Sequence, residues 1–78
     1  MKMEFAEVIG ALKMLKQEVG IPKNLKSKID NIILILNNQG ESQETRVHKA
    51  EIILDEVSND SSLQPFIRTQ IYQIVGLL

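Results

Sequence analysis

Glu44, His48, Glu51 and Asp55 are the residues of this chain whose types and spacing come nearest to a chemical site. They follow one another at steps of four, three and four, which places side chains on one face of a helix. An imidazole among carboxylates could hold a divalent cation or move a proton. His48 is the sole histidine and the chain has no cysteine, so one copy cannot assemble several nitrogen or thiolate ligands. Metal sites in helical bundles also draw their ligands from facing helices rather than from one. The run therefore reads first as the polar outer face of an amphipathic helix. A small metal-binding protein or enzyme around His48 is kept as an alternative.

Asp55, Glu56 and Asp60 could act as a carboxylate pair in acid–base work, but no nucleophile or oxyanion donor accompanies them. They also lack the alternating oxygen ligands, central glycine and closing glutamate of a calcium loop. Ser58, Ser61 and Ser62 fall in a polar turn cluster, where serines form turns and caps rather than a triad with His48. No glycine-rich phosphate loop, nucleophile elbow or zinc signature occurs. The expectation is a protein with no catalytic residues, no cofactor and no metal: not an enzyme.

The elements that carry these residues are helical. Phe5, Val8, Ile9, Leu12, Leu15 and Val19 recur at three- and four-residue steps, predicting a helix over about 2–18. Gly20 can take the left-handed conformation that ends helices, and Pro22 suits the start of the next. Leu25, Ile29, Ile32, Ile33 and Leu36 predict a second helix over about 22–38, with Leu34 and Ile35 left over on its other sides. After the Asn37–Gly40 breaker, Ser42 is a fitting N-cap for a third helix over about 43–58. Val47, Ala50, Leu54 and Val57 form its main face, with Ile53 flanking. Pro65 opens a fourth helix, with Ile67, Ile71, Ile74, Val75 and Leu78 aligned. Met1, Met3 and Met14 are expected to fill the core. Short connections favour antiparallel neighbours, so the predicted fold is all-α, a single-domain four-helix up-and-down bundle spanning residues 1–78.

A chain of 78 residues with 44% hydrophobic and 24% charged side chains suits one soluble domain. Its longest apolar run, Ile32–Leu36, is far short of the ~20 residues that cross a membrane. A cytoplasmic location is expected, with no membrane partner.

The formal net charge of −1 conceals a segregation. Lys13, Lys16, Lys23, Lys26 and Lys28 face Glu18 alone in one stretch, whereas residues 41–60 are acidic. A lysine-rich segment invites a nucleic-acid reading. The favoured account is mutual neutralisation: an up-and-down bundle brings the start of the second helix and the end of the third to one pole. There Asp55, Glu56 and Asp60 would meet those lysines, and Asp55 would pair with Arg68.

The run Ile53-Leu54-Asp55-Glu56-Val57-Ser58-Asn59-Asp60, with Ile21-Pro22-Lys23-Asn24 before it and Pro65, Arg68-Thr69, Ile71-Tyr72 and Ile74-Val75 after it, resembles a small archaeal family of uncharacterised proteins. The resemblance implies an archaeal, cytoplasmic, compact four-helix bundle, and it brings no assigned activity or catalytic residue. The functional expectation is a non-enzymatic protein–protein interaction module that self-associates as a homo-oligomer through Leu34, Ile35 and Ile52, with an unidentified protein partner also possible. The alternative is a nucleic-acid- or ribosome-associated factor using the Lys13–Lys28 segment, and nucleic acid is the less favoured partner.

Overall fold

The computed structural model describes residues 5–78, and the expected positions of Met1 and Met3 lie outside them. Four helices follow one another: α1 Ala6–Lys16, α2 Lys23–Leu36, α3 Gln43–Ser58 and α4 Pro65–Leu77. Each packs against its chain neighbours, and α4 closes onto α1. The diagonal pairs make no close backbone approach among the described residues, so the helices form a four-membered ring around one core.

α1 begins after Phe5, whose left-handed φ of 59° cannot continue a helix. It ends at Lys16 rather than near residue 18, where the N–H groups of Gln17 and Glu18 tighten onto the carbonyls of Met14 and Leu15. That early end carries Val19 out of the stripe, and it is 90% exposed. Gly20, at φ 89°, therefore turns the connection instead of capping the helix, and Ile21 folds back into the core. Met14, expected inside, is 72% exposed. It sits two positions from Leu12, which at about 100° per residue turns it away from the buried row.

α2 buries Leu25, Ile29, Ile32 and Leu36, as its apolar spacing requires. α3 has the predicted bounds, and Ser42 Oγ accepts the Thr45 N–H at 3.2 Å, satisfying one of the donors that a helix start leaves unpaired. Its inner face holds Ala50, Leu54 and Val57, but Arg46 is buried where Val47 was expected; Val47 is half-buried. α4 starts with Pro65 and buries Ile67, Ile71 and Ile74. Leu63, in the last connection, is buried as part of the core. No helix among the described residues is long and apolar enough to cross a membrane.

Candidate functional site

Glu44, His48 and Glu51 line one shallow crevice with Gln43 and Val47, where the first half of α3 meets Phe5 and Leu78. Asp55, one turn further along, lies outside it. All four are exposed, and no group of three or more histidine, aspartate or glutamate side chains among the described residues is placed to hold a metal ion. One helix fans its side chains outward, so the shared face does not become a shared coordination point.

At the opposite pole the predicted ion pair is replaced by another arrangement. Arg68 does not meet the Asp55 carboxylate. Its Nε donates to the Ser58 carbonyl at 3.0 Å and its Nη2 to the Asp60 carbonyl at 2.9 Å. The physical reason is that a helix end already presents carbonyls with no intrahelical partner, carrying partial negative charge. Asp55 and Glu56 instead point to solvent. Asp60 bends back on its own turn, with Oδ1 accepting the Ser62 N–H at 2.9 Å and the Ser62 hydroxyl at 2.7 Å. Those two bonds, with the nearby Arg68 charge, hold its carboxyl below the ordinary aspartate value.

The lysines divide. Lys28 alone shares a crevice with Glu56 and Asp60, between the start of α2 and the end of α3. Lys23 is exposed at the helix start. Lys13, Lys16 and Lys26 line a separate groove between α1 and α2, with Ile33 and Leu34 as its apolar part. Lys16 pairs there with Asp30. Mutual neutralisation by Asp55, Glu56 and Asp60 therefore does not reach these three lysines; the fold puts α2's own acid, Asp30, beside them instead.

The apolar candidates are likewise distributed. Leu34 is 70% exposed and Ile52 is 47% exposed. Ile35 is half-buried and stands outside the α1/α2 groove that Leu34 borders. Leu34 and Ile35 therefore do not line one common groove.

Sequence patterning did not single out Arg46, which is only 4% exposed. Its Nη1 donates to the Leu36 carbonyl at 2.9 Å, its Nε approaches the Ser42 carbonyl at 3.4 Å, and its guanidinium lies 5.3 Å from the centre of the Phe5 ring. The available signal was positional: Arg46 and Arg68 each stand fourth in their helix, ten residues after the last residue of the helix before.

These features define a compact aliphatic four-helix bundle whose buried polar groups serve its helix ends. The profile of the uncharacterised protein family UPF0147 matches residues 1–78, and the chain belongs to that family. A UPF0147 protein of Thermoplasma acidophilum is 31% identical over 74 residues, covering 95% of this chain and 84% of that one. One from Methanothermobacter thermautotrophicus is 30% identical over 74 residues, covering 95% and 72%. The crystal structure of a UPF0147 protein from Thermoplasma acidophilum superimposes with a TM-score of 0.86 at 30% identity, over 92% of this chain and 85% of that one. The relatives are archaeal, in agreement with the resemblance read from the sequence.

Proposed function

We propose that this protein is a non-enzymatic interaction module that works by associating with further copies of itself. The observation that carries the reading is α2. Four of its residues fill the core, yet Leu34 stands 70% exposed on the same helix, giving α2 more apolar surface than its own bundle covers. Apolar side chains gathered beside a groove mark contact surfaces. Of the candidate acid–base residues, Asp55 and Glu56 lie on exposed helix surface and Asp60 is bonded to Ser62 in its own turn, which supports contact rather than catalysis as the mode of action.

Sedimentation equilibrium or light scattering at increasing protein concentration tests this directly. A mass rising above that of the 8.8 kDa chain through the micromolar range is the expected result. A monomer at tens of micromolar refutes it.

A further inference from the structure

The geometry points to a specific contact within that self-association: the α1/α2 groove of one copy receives the outward face of α3 from another. This inference rests on the self-association reading and adds the surfaces that meet.

The groove has an apolar part, Ile33 and Leu34, bordered by Lys13, Lys16 and Lys26. Asp30 is engaged with Lys16, whereas Lys13 and Lys26 have no carboxylate within ion-pair distance among the described residues. The outward face of α3 is the counterpart in sign. Ile52 is exposed at its centre, and Asp55 and Glu56, three and four residues on, share its helical face. Both are exposed, and neither carboxylate is ion-paired among the described residues. Each surface is thus an apolar centre beside unneutralised charge, of opposite sign on the two sides. Such complementarity steers encounter and selects the register, while the apolar contact holds it.

One copy cannot satisfy itself in this way. α1 and α3 stand diagonally across the ring, and Ile52 is turned away from the core side of its helix, two positions from buried Ala50. The contact must therefore be between copies. Because groove and α3 face occupy different sides of the bundle, it is head-to-tail: each copy gives one surface and receives on the other. A phosphate backbone is a poorer occupant, since Asp30 in the groove wall would repel it and it offers no apolar counterpart to Ile33 and Leu34.

The test uses the full chain and two variants, each checked for unchanged helical circular dichroism. Lys13→Glu/Lys26→Glu spoils the groove and leaves α3 intact; Ile52→Glu spoils the α3 face and leaves the groove intact. Each variant alone is expected to associate roughly tenfold or more weakly than the parent. An equimolar mixture is expected to form a one-to-one dimer that grows no further, because one intact groove meets one intact α3 face. Raising salt is expected to weaken parent association. If the parent associates and both variants associate equally well, the surfaces are wrong while self-association stands. If the parent is a monomer, both readings fall. If the parent shifts a single-stranded RNA 20-mer in low salt and the lysine variant does not, while association is unaffected, the groove is a nucleic-acid face and the proposal is overturned.

Discussion

The Nε of Arg68 donates to the carbonyl of Ser58, the last residue of α3, at 3.0 Å. Arg46 repeats the relationship one connection earlier, with Nη1 on the carbonyl of Leu36, the last residue of α2, at 2.9 Å. In each case a cation near the positive end of one helix is placed against the negative end of its predecessor. Helix ends thereby gain a charge-assisted bond where they would otherwise face the core edge unpaired. The first connection has Lys26 at the equivalent place, ten residues after Lys16, and it is exposed. A lysine lacks the planar fork that reaches several carbonyls at once.

Replacing Arg68 by methionine is expected to lower unfolding free energy by about 1.5–3 kcal/mol, the range for bonds that involve a charged group. Asp55→Ala should stay within about 0.5 kcal/mol of the parent, as an exposed substitution. Urea denaturation of both single variants and the double variant measures this. Additive losses are expected; a coupling above about 0.5 kcal/mol would restore the Asp55–Arg68 ion pair.

Ser42 accepts the Thr45 N–H at the start of the longest helix, so Ser42→Ala is expected to cost about 1 kcal/mol and Ser42→Asp close to nothing. Thermal unfolding of the two variants side by side checks the difference. Equal losses would mean that the bond itself contributes nothing.

Asp60 gives a signed pH dependence. Its carboxyl is held down first by the Ser62 hydroxyl, then by the Ser62 N–H, with Arg68 adding to the effect. A depressed folded value means that its contribution is fully present above the unfolded value of about 3.9. The contribution is lost as pH falls through the folded value, below that range. Asp60→Asn keeps an oxygen that can accept both Ser62 bonds but removes the charge, so it should be slightly less stable than the parent at pH 7 and lose less stability as the pH falls below about 4. Denaturation midpoints across the acid range test it, and identical acid slopes for parent and variant would exclude the linkage.

Ile32 and Leu34 separate packing from contact. Ile32 is wholly buried, so Ile32→Ala is expected to cost about 2–5 kcal/mol. Leu34→Ala should leave monomer stability within about 0.5 kcal/mol and reduce association. Calorimetry on dilute protein and light scattering on concentrated protein report the two effects independently. A large stability loss for Leu34→Ala in dilute solution would place that side chain in the core.

How much of this was readable in advance depends on the range of the interaction. The four helices, the Ser42 cap, the Pro65 start and the rows Leu25–Ile29–Ile32–Leu36 and Ile67–Ile71–Ile74 were legible because helical periodicity and capping are local. The end of α1 was less so: Val19 continues the apolar spacing, but the chain tightens at Gln17 and leaves it outside.

The charged residues show where local reading stops. That Arg68 lies beside the end of α3 followed from sequence order and an up-and-down bundle. That it chooses carbonyls over carboxylates, that Arg46 is buried, and that Lys13, Lys16 and Lys26 converge on one groove away from Asp55 and Glu56 depend on side-chain direction across helices. The sequence by itself determined where the four helices lie and which rows along them are apolar, because backbone hydrogen bonding and helical periodicity act over a few residues. Only the tertiary structure decided which charges meet, because a long side chain finds its partner through the rotation and register of two packed helices, and neither is written along one strand of sequence.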